Sequence, residues 1–181
     1  MPTGKRGLDP AILGLAVLLV VQLAVVLNRQ TMRASPDFQP VIAGVSLNDI
    51  QAIGPAGAEP AVDGPTLLLA FHSECAHCLR VSPQWAEWLR THGSDRVIAI
   101  SREELDVAAR YASEQDWSVL VRSIPTADLR GLETALLSRT PWIYVVDADG
   151  IVQAAGHGNR IEELGALFED LVHSDGKRMP R

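Results

Sequence analysis

Cysteine is scarce in this chain of 181 residues: Cys75 and Cys78 are the only two. Two are too few for a disulfide-rich scaffold, and a bridge closing so short a loop would stabilise little through chain entropy. A second cysteine or histidine pair at regular spacing, which structural zinc needs, is also missing. The five histidines (His72, His77, His92, His157, His173) form no such pair. His72 and His77 do flank the cysteines, which leaves a Cys/His copper or zinc site open. Covalent haem attachment through C-x-x-C-H is excluded, because the residue after Cys78 is Leu79. Grouped positive charge is lacking as well. The net charge is −6, and only Lys5-Arg6 and Lys177-Arg178 with Arg181 form short basic groups. No nucleic-acid partner is expected, since phosphate binding needs clustered Lys and Arg. Aromatic residues make up only 5% of the chain, so Trp85, Trp88, Trp117 and Trp142 read as core or groove-lining residues rather than a ligand box. There is no low-complexity tract and no clear repeat. With 47% hydrophobic and 21% charged residues, the composition is that of one folded domain with appendages.

One long apolar run is present. Pro10 to Leu27, "PAILGLAVLLVVQLAVVL", carries no charge and a single amide, Gln22. As a helix it spans roughly 27 Å, close to the ~30 Å hydrocarbon core of a bilayer. A cleaved signal peptide is the rival reading, but its apolar region is usually about 7–15 residues, and no A-x-A site follows promptly. The expected organisation is a cytoplasmic segment (1–9), a single transmembrane anchor (10–28), a polar, proline-bearing linker (29–40), a domain (41–174) and a tail (175–181). Lys5 and Arg6 precede the span while Arg29 and Arg33 follow it, so the positive-inside count is nearly balanced. Placing the domain on the periplasmic, extracytoplasmic side of the cytoplasmic (inner) membrane rests partly on the cysteine pair.

Beyond the linker, residues 41–65 are turn-rich, with room for short strands around Val41–Leu47. "TLLLAF" (66–71) is a continuous apolar run of the kind a fully buried strand shows. From Ala76 to Leu89 the apolar spacing is helical, with Pro83 inside it as a source of a kink. A second buried strand (95–101) leads into an amphipathic helix (102–117), with Ser101 and Glu104 spaced as a capping box. A third strand (118–124), a short helix (127–137), a hairpin (141–147 and 151–158, turn 148–150) and a closing helix (160–174) complete the pattern. Alternation of this kind predicts an α/β class with a mixed central sheet and helices on both faces.

The order strand, C-x-x-C, helix puts Cys75 at a helix N-terminus. Unpaired N–H groups and the positive end of the dipole favour an anion there, and a thiolate is the reactive form of cysteine. Cys78 lies one turn inside the helix and is expected to be more buried. The pair can then act as attacking thiol, Cys75, and resolving thiol, Cys78. A purely structural bridge would have little to do, because one helical turn already holds the two together.

These residues resemble the thioredoxin-like family, and within it the membrane-anchored TlpA/ResA-like branch. The resemblance covers roughly residues 41–174. It is carried by "TLLLAF", "CAHC", Pro83 five residues later, the extra "VIAIS" to "SVLV" unit, and "RTPWIYVVDADGIVQAAGHG". It implies a thioredoxin-like fold following one transmembrane helix, with Cys75 as nucleophile and Cys78 as resolving thiol. It also implies that Pro141 is the cis-proline facing the pair and that the Thr140 backbone positions a bound substrate strand.

The sequence departs from the pattern in places. Glu74 stands where Trp is common, and a carboxylate close to Cys75 would oppose its thiolate. The acids that relatives carry near the second cysteine are replaced by Leu69 and Val81, which leaves Glu74, His72 and His77 as substitutes. Between the cysteines, Ala76-His77 resembles oxidising and isomerising relatives more than reducing ones, and an imidazole there can raise the reduction potential. The expectation is a membrane-anchored thiol–disulfide oxidoreductase without a dissociable cofactor or metal. It would act on client protein thiols and disulfides and be recycled by a membrane redox partner, with the direction of electron flow open. A copper-handling Cys/His protein is the alternative. A thiol peroxidase is disfavoured because no obvious activating Arg and Thr precede Cys75.

Overall fold

The computed structural model describes residues 43–176, with Gln22 as a single helical position ahead of them. The expected segment 1–9, anchor 10–28 (Gln22 apart) and linker 29–40 lie outside the described residues, as does 177–181. Among the described residues, no helix is long and apolar enough to cross a membrane.

Seven strands form one sheet in the order β2-β1-β5-β4-β3-β6-β7. They are β1 (Gln51–Gly54), β2 (Gly57–Pro60), β3 (Thr66–Phe71), β4 (Val97–Ser101), β5 (Leu120–Ser123), β6 (Trp142–Val146) and β7 (Val152–His157). Strands β3, β4 and β5 run parallel, and β6, β7 and β1 join antiparallel, so the sheet is mixed as expected. β3 is buried at every position because both its faces are covered. Leu67, Leu69 and Phe71 pack into one core, and Leu68 and Ala70 into the other. That is the period-two alternation of a strand between two layers.

The helices divide unequally between those layers. Helices α1 (Ala76–His92), α2 (Leu105–Glu114) and α4 (Ile161–Gly176) supply the first core. The short α3 (Gly131–Leu136) covers the second, with Leu47, Ile50, Ala61 and Val62 from the chain before β3. α1 continues through Pro83, whose ring side is exposed, and ends at Gly93, where φ is 85°.

Four local expectations are corrected. The early strands lie at 51–54 and 57–60; Ser46 makes only an isolated bridge to Ile151, and Leu47 turns into the core. The Ser101–Glu104 capping box does not form. Ser101 is still the last residue of β4, its hydroxyl donates to Glu103, and Glu104 caps α2 without a side-chain bond. α2 is also shorter than 102–117. Asp116 adopts φ 57°, Trp117 N–H returns to Ala112 O and Asp116 N–H to Ser113 O, a helix stop that swings Trp117 into the core. The expected tail begins two residues late, since α4 runs to Gly176.

Candidate active site

Cys75 is the N-cap of α1, with extended backbone (φ −81°, ψ 110°). Its Sγ accepts the Cys78 N–H at 3.4 Å, as a Ser or Asp oxygen would at a cap. On the other side, the protonated Sγ donates to Thr140 O at 3.4 Å, and the Thr140–Pro141 bond is cis. Loss of the proton leaves that carbonyl unpaired while the Cys78 N–H bond strengthens, so the two contacts serve different ionisation states. Both cysteines are free thiols.

The two sulfurs are set apart electrostatically. Partial burial alone would push the Cys75 thiol up. Hydrogen bonds from the Cys78 N–H, the Thr140 side chain, the Cys78 thiol and the His77 N–H outweigh it and hold the thiol below its ordinary value. Cys78 is fully buried, and burial pushes it up to about 12; hydrogen bonding at the His72 backbone opposes this, and the Cys75 sulfur adds to it. At neutral pH, iodoacetamide is expected to modify Cys75 of the reduced chain about a thousandfold faster than Cys78, because only the thiolate reacts. Peptide mapping by mass spectrometry checks this, and comparable rates would contradict the assignment. The native state also holds the Cys78 proton more tightly than the unfolded chain does. The resulting stabilisation is intact below pH ~9 and is lost as pH rises towards the folded value.

The other residues singled out in the sequence occupy different places. Ala76 opens α1 and is exposed. His77 is exposed, and its ring meets Arg80 Nη2 at 2.6 Å; its backbone N–H, not its ring, contributes to Cys75. Glu74 is exposed, and its N–H donates to His72 Nδ1 at 3.2 Å. His157 is the last residue of β7, and it caps the following turn.

Sequence reading missed Glu103. Its carboxylate accepts the Ser73 N–H at 2.8 Å, the Ser73 hydroxyl and the Ser101 hydroxyl at 3.0 Å, with His72 Nδ1 3.9 Å away. Burial pushes the carboxyl up, but the Ser73 and Ser101 bonds and His72 outweigh it and leave it below the usual range. The register shows why these groups meet. Phe71 pairs with Ser101, so the chain two residues beyond each strand lies at the same sheet edge. Tyr111 is a second missed group: its hydroxyl is 3.3 Å from Ser82 Oγ, which donates to Cys78 O at 3.1 Å. Glu103→Ala is expected to cost about 1–3 kcal/mol by orphaning the Ser73 and Ser101 donors, read by denaturant unfolding. Because the carboxyl is lowered by folding, its contribution is present above pH ~4.5 and lost as pH falls through the folded value. The gap between wild type and Glu103→Gln therefore narrows in acid.

No family model matches the chain, and no curated protein matches it. Solved structures do. A thio-disulfide isomerase from Thermus thermophilus is 26% identical, with a TM-score of 0.51 over 70% of this chain and 95% of that one. The thioredoxin domain of a thiol-disulfide oxidoreductase from Bacteroides vulgatus is 15% identical, with a TM-score of 0.51 over 68% of this chain and 97% of that one. Peroxidoxin BcpB from Mycobacterium tuberculosis is 14% identical, with a TM-score of 0.51 over 72% and 98%. The fold is thioredoxin-like. In this thioredoxin-like chain the cysteine pair sits where β3 hands over to α1, facing the turn into β6.

Proposed function

We propose that the chain is a membrane-anchored thiol–disulfide oxidoreductase acting on client proteins outside the cytoplasm through Cys75 and Cys78. As a class it is a thioredoxin-like oxidoreductase. The observation that carries this reading is the division of the pair: Cys75 capped, partly exposed and lowered, and Cys78 buried and raised. In the reducing direction the Cys75 thiolate attacks a client disulfide sulfur, forms a mixed disulfide and releases one client thiolate. Cys78 then loses its proton, for which the released client thiolate is the nearest base, and attacks Cys75 Sγ. The second client sulfur leaves, two electrons have passed to the client, and Cys75–Cys78 is a disulfide. The oxidising direction is the reverse.

Each turnover leaves the pair in the spent redox state, so a membrane thiol/disulfide partner is needed to restore it. The apolar run from Pro10 to Leu27 supports the anchor at 10–28, and the TlpA/ResA-like resemblance supports the extracytoplasmic side. The copper-handling alternative gains no support from geometry: among the described residues, no three His, Cys, Asp or Glu side chains converge on a point.

The test is the equilibrium reduction potential of the pair, titrated against glutathione and dithiothreitol. A value near about −270 mV assigns a reductase, and one near about −120 to −180 mV an oxidant or isomerase. Failure to form the disulfide at any poise would overturn the redox reading.

A further inference from the structure

An unbroken run of cationic and aromatic side chains borders the reactive sulfur. Arg80 Nη2 lies 2.6 Å from His77 Nδ1, and the His77 ring is 6.5 Å from that of His157. The His157 ring is 6.4 Å from Trp142, and the Arg139 guanidinium sits 5.5 Å from the Trp142 ring centre. Three elements contribute: the first turns of α1, the end of β7 and the approach to β6. Arg139 adjoins Thr140, whose carbonyl touches Cys75 Sγ, so the run begins and ends within a few residues of the reactive atom.

Both ends of the run are exposed guanidinium groups. Arg90, Arg122 and Arg160 each pair with a glutamate, whereas neither Arg80 nor Arg139 has a carboxylate within ion-pair distance among the described residues. No acid belongs to the run; Glu74, exposed and next to Cys75 in sequence, makes no ion pair with Arg80 or Arg139 among the described residues. A cationic border on a chain of net charge −6 is a local arrangement rather than a reflection of composition. Leu79, 58% exposed beside Arg80, adds an apolar foothold.

We propose that this run is a docking rim for client proteins whose reactive cysteine is flanked by Asp or Glu. The inference rests on the thiol–disulfide reading above and names its substrate class. Guanidinium forks pair with carboxylates in two-pronged fashion, and a charged rim acts mainly on the encounter rate. Two unpaired forks separated by aromatic rings suit an extended acidic segment lying across Cys75.

The experiment uses the full-length reduced chain and two short peptides. Each carries one cysteine blocked as a mixed disulfide with 2-mercaptoethanol, flanked by Asp and Glu in one and by Lys in the other. Each rate is divided by the rate of the same peptide with dithiothreitol, which removes the peptide's own reactivity. The acidic peptide is expected to react about tenfold faster than the basic one at low ionic strength. That ratio should fall towards one in about 0.5 M salt, where the screening length shrinks to a few ångströms. It should also collapse in the Arg80→Glu/Arg139→Glu variant. A change in Cys75 nucleophilicity moves both rates together and leaves the ratio alone. A wild-type ratio of one or less, or a ratio the double substitution does not move, overturns the inference and leaves the thiol–disulfide reading standing. If neither peptide reacts, that reading fails and the inference fails with it.

Discussion

Cys78→Ser is expected to turn a turnover enzyme into a trap. Cys75 keeps its place at the cap of α1, and its thiolate still attacks a client disulfide. The mixed disulfide then has no internal thiol to resolve it. Client adducts should accumulate on non-reducing gels, and turnover should fall by about a thousandfold, since resolution now waits for an external thiol. Cys75→Ser should lose turnover to a similar degree but form no adduct, because the remaining thiol is buried and pushed up to about 12. The asymmetry between the two variants is the informative result. A single thiol would be equally reactive at either position if only the C-x-x-C spacing mattered. Adducts on Cys75→Ser, with turnover preserved in Cys78→Ser, would reverse the assigned roles. Serine is close to cysteine in volume, so the fold should survive both substitutions.

How much of this was legible in the sequence depends on how local each signal is. "TLLLAF" announces a strand buried on both faces, and its residues do divide between the two cores. The step from that strand into C-x-x-C and a helical pattern places Cys75 at the cap, which the backbone angles bear out. Glu103 was not legible, because its partner Ser73 is 30 residues away and only the parallel pairing of β3 with β4 joins them. The local signal there pointed elsewhere. Ser101 and Glu104 have capping-box spacing, yet the strand persists through Ser101 and its hydroxyl is taken by Glu103. The hairpin at 51–60 was hidden for a different reason: its strands are four residues each, and Gly57 turns it at φ 113° in a stretch dominated by turn residues. The cationic rim is likewise a product of topology, since Arg80 lies in α1, His157 in β7 and Arg139 in the loop that leads into β6.

The distinction between local and assembled features also decides where a substitution far from the sulfurs will hurt most. Trp85→Ala is expected to cost about 3–5 kcal/mol, the range for deleting a large aromatic from a packed core. Trp85 is 0% exposed and lies 5.2 Å from the Trp117 ring, which in turn contacts Phe71 and Tyr111. Its indole N–H donates to Gly158 O at 2.7 Å, while the Gly158 N–H donates to Pro141 O at 3.1 Å. Gly158 has no room for a side chain, since a Cβ would come within 2.8 Å of Trp85 and 2.7 Å of Pro141. Trp85 therefore supports the segment that meets Cys75 as well as filling the core. Two readouts separate these roles. Trp85→Phe keeps most of the packing but drops the N–H, and should cost about 1–3 kcal/mol for the unmet Gly158 acceptor and residual void. If the support matters, client exchange in Trp85→Phe should slow under conditions where denaturant curves show the variant fully folded, while Cys75 alkylation, which needs no partner segment, stays near the wild-type rate. Exchange that tracks only the folded fraction would confine Trp85 to the core.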